Sequence, residues 1–233
     1  MPKKQWIVKI IQAWRKSKML ATLPLPIYFL IGGLISIFLP KGFIKSSFVC
    51  LVPVIALLVL LNGGWDDGFK VQFLDLELNF MRVDKLSTVF GIIFCIAAFL
   101  GNIFAFHLRE STQPFVALIY SGAAIGAVFA GDLVTLFVYW ELTAISSVFL
   151  IWARKTEGAY HSGMRYLIIQ VLSGVVLLFG VALFYFEKGS ISFSKMELDS
   201  LATALIFVAF GIKCAFPFLH NWLQDSYPSA TIT

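Results

Sequence analysis

Seven long stretches of almost uninterrupted apolar residues run through this chain, and short polar segments separate them. Stretches of about 17–25 apolar residues are long enough to cross the hydrocarbon core of a bilayer as helices. The predicted spans are Leu20–Leu39, Ser46–Asn62, Leu86–Phe106, Pro114–Ala130, Leu133–Trp152, Ser162–Phe186 and Leu201–Phe216. The predicted fold class is therefore an all-α polytopic membrane protein with about seven transmembrane helices.

Two segments outside these spans have patterns of their own. Residues 1–19 are basic and amphipathic, which is typical of a helix lying on the membrane surface, with its apolar side formed by Trp6, Ile7, Ile10, Ile11 and Trp14. Between the second and third spans, residues 74–80 alternate apolar and polar side chains, which predicts a half-buried strand. We expect residues 63–85 to form an extramembrane loop or hairpin.

Composition supports a membrane protein and argues against other classes. The chain is 59% apolar and 13% charged, whereas soluble domains are about 50% apolar and about 25% charged. Six of its basic residues lie within residues 1–19, ahead of the first span, which suits anionic lipid headgroups better than a nucleic acid. No dinucleotide-binding glycine motif, iron–sulfur cysteine cluster or haem motif is present, so we expect no cofactor and no redox catalysis by this chain itself.

Two ionisable residues lie deep inside predicted spans. Glu141 is about 12 Å into the fifth span and Lys213 about 18 Å into the seventh, at 1.5 Å per residue. Left facing lipid, each charge would cost on the order of 3 kcal/mol or more. A static interior salt bridge is one interpretation, and a proton or ion pathway is the other and the favoured one. In the second, the two groups would titrate as one coupled unit.

The seventh span ends in a break followed by a polar run. Pro217 lacks the N–H that a helix needs and disrupts the preceding turn. Irregular backbone at membrane depth is tolerated only inside protein or beside water. We therefore expect a polar cavity near a discontinuous helix, lined by His220, Asn221, Gln224 and Asp225.

Two other functions remain open from the residues alone. His220 and Asp225 spell H-x-x-x-x-D, in which the histidine of a membrane acyltransferase would act as a general base held by the aspartate. The chain could instead be a structural or assembly subunit, or a non-functional remnant. Proton flux in a reconstituted assembly, set against acyl transfer to a lipid acceptor, separates these classes.

Three motifs resemble one family of membrane proteins. They are "VDKLS" (83–87), "GDLVTLFVYWELTAISS" (131–147) and "KCAFPFLHNWLQDSYPSA" (213–230). In order and spacing they are similar to the N-terminal half of the antiporter-like membrane subunits of respiratory complex I (chains L, M and N of NADH-quinone oxidoreductase) and of the Mrp Na⁺/H⁺ antiporters. The nearest likeness is to the D-type subunit of the Mrp antiporters.

The resemblance implies a function and a set of site residues. Glu141 matches the family's fifth-helix glutamate, Lys213 the lysine of its broken seventh helix, and His220 the histidine of its Pro–His–Trp–Leu–Asp run, although Phe218 and Leu219 intervene here. The chain would be a proton-translocating subunit in a bacterial or organellar inner membrane. Its partners would be other membrane subunits, the lipid bilayer, protons and Na⁺ or K⁺, with no nucleic acid.

The resemblance also bears on completeness and orientation. Family members continue with about seven more helices, so residues 86–233 are expected to be a truncated proton-channel module that does not transport alone. The family places the loop before the third helix outside the cell, which would put the N-terminus outside as well. The positive-inside rule instead places the basic N-terminus in the cytoplasm, and both orientations stay open.

Overall fold

A computed structural model describes residues 23–63, 68–74, 76–108 and 112–231 of the chain. The surface helix predicted for residues 1–19 lies outside them. Within these ranges five helices are long and apolar enough to cross a membrane, and two shorter helices are also apolar. The chain is thus a mostly α-helical polytopic membrane protein.

The seven predicted apolar stretches correspond to seven helices, followed by one short helix. They are α1 (Leu25–Phe38), α2 (Phe43–Leu61), α3 (Lys85–Phe104), α4 (Thr112–Phe129), α5 (Leu133–Trp152), α6 (Glu157–Lys188), α7 (Leu201–Lys213) and α8 (Asn221–Ser226). Helix α6 starts five residues before the predicted span because the Thr156 side chain caps it, accepting from the N–H of Ala159. Its last turn ends at Gly189, in the left-handed conformation that favours glycine.

A two-stranded antiparallel hairpin separates α2 from α3. It consists of β1 (Phe69–Phe73) and β2 (Leu76–Met81). Strand β2 covers residues 76–80 of the predicted alternating strand, and Leu74 lies in the turn before it. The hairpin backbone is joined to the α4–α5 turn: the N–H of Gly131 donates to the Asn79 carbonyl at 2.9 Å, and the N–H of Arg82 to the Phe129 carbonyl at 2.7 Å. The end of the bundle where these segments meet is called the hairpin side below.

The loop between α6 and α7 joins the same structure. The N–H of Leu133 donates to the Ile191 carbonyl at 3.0 Å, and the backbones of Asp132 and Ser192 form an isolated antiparallel β-bridge. Helices α5 and α7 therefore both begin on the hairpin side and run away from it, whereas α6 runs toward it. This parallel direction puts Glu141 and Lys213 at comparable depths in the bundle.

Helix α4 lies in the interior of the bundle, where small residues form its contacts. Gly122 and Gly126 are buried, and Ala130, one turn further on, is 4% exposed. A Cβ on Gly122 would lie 2.6 Å from Cβ of Phe29 on α1, and a Cβ on Gly126 would collide with the Tyr139 ring on α5. Small residues thus allow α4 to approach its two neighbours closely.

Candidate functional site

Helix α7 ends at Lys213, in the middle of the bundle, because a local hydrogen-bond motif closes it there. The N–H of Phe216 donates to the Gly211 carbonyl at 2.9 Å, and that of Ala215 to the Ile212 carbonyl at 3.2 Å. These two bonds are the Schellman pattern of a helix end. The left-handed position at Ala215 (φ 54°) is held by alanine rather than glycine, so the motif carries strain of about 1–2 kcal/mol.

The predicted break is confirmed, and it begins before Pro217. The helix has already ended four residues earlier, and α8 does not start until Asn221. The sequence predicted a span continuing to Phe216, because the closing motif lacks the glycine that marks most such ends. The break leaves Lys213 as the last helical residue of α7.

The Lys213 ammonium lies against Trp140 of α5. Its Nζ donates to the Trp140 carbonyl at 3.4 Å and lies 5.0 Å from the centroid of the indole ring. A desolvated cation over an indole face is stabilised by about 2 kcal/mol. Phe210 holds the same ring edge to face, with the ring centroids 5.0 Å apart. Lys213 is therefore positioned by the residue directly preceding Glu141.

The Glu141 carboxylate points toward α6 and packs on Gly174. A Cβ on Gly174 would lie 2.6 Å from Cδ of Glu141 and would collide with Oε1. That oxygen is buried and has no hydrogen-bond partner among the described residues. A buried polar group left unpaired costs about 1–3 kcal/mol. Glycine at position 174 is what makes room for the carboxylate.

Glu141 and Lys213 approach each other without forming a salt bridge. Their charges attract, but no ion pair joins the two residues, both of which are described. The static salt bridge, one of the two interpretations of the sequence, is therefore not the arrangement in this structure. In a separated pair, either residue can gain or lose a proton without first breaking a salt bridge to the other.

A buried polar group next to this pair was missed from the sequence. Trp140 Nε1 donates to Ser173 Oγ at 3.3 Å, and Ser173 Oγ donates to the Gln170 carbonyl at 2.7 Å. The side-chain amide of Gln170 is fully buried, and neither its oxygen nor its nitrogen has a hydrogen-bond partner among the described residues. The available signal was that Gln170 is the one carboxamide within the apolar stretch 162–186.

The polar run after the break lies mostly on the surface of the chain. His220 is half-buried and precedes α8, whereas Asn221, Gln224 and Asp225 are exposed. Three of the four side chains are thus exposed in this chain by itself, and the polar cavity that they would line stays a prediction. Helix α8 is only six residues long, and it turns its buried face, Trp222 and Ser226, inward, which leaves the other positions facing out.

Asp225 and His220 do not form a base and its orienting carboxylate. Arg165 Nε contacts Asp225 Oδ2 at 3.2 Å instead, in an ion pair with both side chains about half exposed. The backbone carbonyl of Asp225 accepts from Ser162 Oγ at 2.6 Å. These contacts fasten the segment after the break to α6, and no observation favours the acyltransferase interpretation.

Comparisons with known proteins agree with the resemblance predicted from the sequence. Residues 130–233 match the family described as NADH:quinone oxidoreductase/Mrp antiporter, transmembrane. The chain is 27% identical over 206 residues to NAD(P)H-quinone oxidoreductase subunit 2 of Rippkaea orientalis, covering 77% of this chain and 38% of that protein. It is 29% identical over 177 residues to the putative antiporter subunit mnhD2 of Staphylococcus aureus (strain JH9), covering 71% of this chain and 34% of that protein.

A solved structure shows the same fold. A chain of the membrane-bound sulfane sulfur reductase, an archaeal respiratory membrane complex, superposes with a TM-score of 0.76 over 91% of this chain and 48% of that one, at 22% identity. This chain thus spans less than half the length of these three relatives.

Proposed function

We propose that this chain, whose residues 130–233 match the NADH:quinone oxidoreductase/Mrp antiporter family, is a proton-translocating subunit of a multisubunit cation/proton antiporter or complex I-like assembly. Residues 86–233 form its proton-channel module. Other membrane subunits and the lipid bilayer are its partners, and Na⁺ or K⁺ is the exchanged cation if the assembly is an antiporter.

One observation carries this proposal: a carboxylate and an ammonium lie at comparable depth on two helices without an ion pair between them. Glu141 presses an unpartnered oxygen against Gly174, and Lys213 rests on Trp140. Intramembrane ionisable residues are expensive and are typical of ion or proton pathways. A pair built only for stability would close the remaining distance.

The pair supports a stepwise transfer of protons. When Glu141 takes up a proton its charge disappears, and the attraction that holds the ammonium of Lys213 weakens by the same event. A proton released from Lys213 and a proton accepted by Glu141 are therefore linked through electrostatics. The helix break supplies the irregular backbone at membrane depth that transport proteins place beside polar cavities.

The decisive experiment measures cation-dependent proton movement in membrane vesicles that contain the whole assembly, with a pH-sensitive dye. Glu141→Gln and Lys213→Ala should each abolish the movement, while the amount of assembled complex stays close to normal because a neutral side chain is easier to bury than a charge. The matched controls are Glu187→Gln and Lys195→Ala, which alter exposed groups at the hairpin side and should transport normally.

Normal transport by Lys213→Ala in a fully assembled complex would overturn the proposal and leave a role in assembly as the function of the chain. His220 has a smaller expected role as a relay after the break. His220→Gln should slow the movement without abolishing it, and an unchanged rate would make His220 a structural residue only.

A further inference from the structure

One face of α6 carries a row of polar residues from the side of the membrane opposite the hairpin to the middle of the bundle. Its members are Ser162, Tyr166, Gln170 and Ser173, all less than 10% exposed. Residues three and four apart share a face of a helix, and the distance from position 162 to Gly174 is about 18 Å along the axis. The row therefore covers over half the thickness of a hydrocarbon core of about 30 Å.

The row has a solvent-facing outer end and a buried inner end. At its outer end, Ser162 donates to the carbonyl of Asp225, beside the half-exposed ion pair of Arg165 and Asp225. The buried hydroxyl of the next residue, Ser226, has no hydrogen-bond partner among the described residues. At its inner end, Gly174 contacts the Glu141 carboxylate. The row thus connects a solvent-facing ion pair with the proposed proton acceptor.

Gln170 lies in the row one turn before Gly174, and its side chain is open to further hydrogen bonds. Both polar atoms of its amide lack partners among the described residues, although the side chain is fully buried. Side chains on a helix lean toward its N-terminus, so this amide lies on the Tyr166 side of Gly174. The Tyr166 hydroxyl in turn lies 2.6 Å from Ser147 Oγ on α5. Amide and hydroxyl groups both donate and accept hydrogen bonds.

We propose that Gln170 is a positioning residue on a proton path that runs from the Arg165–Asp225 ion pair along α6, past the Tyr166–Ser147 hydroxyls, to Glu141. This inference rests on the proposed function. The amide of Gln170 orders bridging water and stays neutral itself. A water molecule held by the amide gives one proton to the Glu141 carboxylate and takes one from the next donor along the row, so that each transfer leaves the amide unchanged.

The test replaces the amide with an apolar side chain of similar volume in the whole assembly. Gln170→Leu should slow cation-dependent proton movement at least about tenfold, since a misplacement of reacting groups by about 1 Å costs about 10² in rate. Gln170→Asn, which keeps an amide, should recover most of that loss. The matched control is Leu177→Met, another volume-conserving change at a fully buried position of α6, and it should transport normally.

A second readout does not depend on transport. At a pH low enough to protonate Glu141, the infrared carboxyl band that Glu141→Gln removes should shift rapidly when wild-type membranes are placed in D₂O, because the path brings water to the carboxyl group. In Gln170→Leu the same shift should be slower. Tyr166→Phe removes one hydroxyl and keeps the ring against Trp222, and it should slow both the band shift and transport. This variant replaces Gln170→Leu as the test if Gln170→Leu fails to assemble.

The outcomes separate the inference from the proposed function. If Glu141→Gln and Lys213→Ala abolish transport but Gln170→Leu or Tyr166→Phe moves protons and exchanges the carboxyl at the wild-type rate, the α6 path is wrong and the proposed function stands. If Lys213→Ala transports normally in the assembled complex, the proposed function fails, and the path to Glu141 fails with it if Glu141→Gln also transports normally.

Discussion

Helix α5 and the residue that caps it carry two carboxylates nine residues apart, and their surroundings are opposite. Asp132 is 2% exposed and accepts three hydrogen bonds, from the N–H of Asn79 at 2.6 Å and from the N–H and hydroxyl of Thr135 at 2.7 Å each. Glu141 has a buried oxygen that accepts none from the described residues. The saturated carboxylate fixes the fold on the hairpin side, and the unsaturated one keeps its capacity for a proton.

The largest expected effect on stability comes from Asp132→Ala. The change removes a helix cap worth about 1 kcal/mol and leaves the N–H of Asn79 and the Thr135 groups unpaired, at about 1–3 kcal/mol for each buried group. We expect the free energy of unfolding to fall by about 2–4 kcal/mol, measured by SDS titration of the purified assembly. Glu141→Gln should change it by less than about 1 kcal/mol; equal losses for the two variants would end the contrast between the carboxylates.

A smaller loss should follow from filling the space that Glu141 occupies. Gly174→Ala places a Cβ against the carboxylate, and overpacking of this kind costs about 1–3 kcal/mol. In a Glu141→Ala background the same change should cost almost nothing, which a double-mutant cycle measures. Gly158→Ala is the control, since a Cβ there meets nothing within 4 Å. An equal cost in both backgrounds would show that Glu141 does not press on Gly174.

Near the cation, one substitution should stabilise the protein. Ala215→Gly relieves the left-handed residue that closes α7 and should raise the free energy of unfolding by about 1 kcal/mol. Ala209→Gly, within the same helix and fully buried, should lower it by about as much because glycine weakens a helix interior. If both glycines destabilise, the Schellman closure of α7 is not formed as described.

The smallest effect concerns a third carboxylate, outside the spans. Asp84 caps α3, and the N–H of Ser87 that it accepts holds its pKa below the ordinary value of 3.8. A lowered folded-state pKa contributes stability that is present above the unfolded-state pKa and is lost as the pH falls through the folded-state pKa.

We therefore expect the unfolding midpoint to decline as the pH drops below 3.8 and Asp84→Asn to reduce that decline. The side chain is half exposed, so the effect is small and should weaken with salt. A decline of the same size in Asp84→Asn would assign it to other carboxylates.

The sequence predicted the spans, Glu141 and Lys213 because each depends on a strong and local signal. Apolar length determines a membrane helix, and a charge inside such a stretch stands out at once. Gln170 gave no comparable signal, since a neutral amide costs far less than a charge, and the role proposed for it rests on its position one turn from Gly174, on the face that meets Glu141. The contact of the Lys213 ammonium with Trp140 depends on how α5 and α7 pack together, and the hydrophobic periodicity of the sequence does not encode that packing.

The end of α7 inside the bundle has an electrostatic consequence of its own. The peptide dipoles of a helix add up to about half a negative charge at its C-terminus, which favours a cation there by up to about 2 kcal/mol where the site is partly buried. Lys213 is the last residue of α7, so the backbone itself supplies a counter-charge that neither titrates nor moves. Part of the stabilisation of the ammonium therefore persists when the charge of Glu141 is absent, so under the proposed function protonation of Glu141 weakens the hold on the Lys213 proton without removing it.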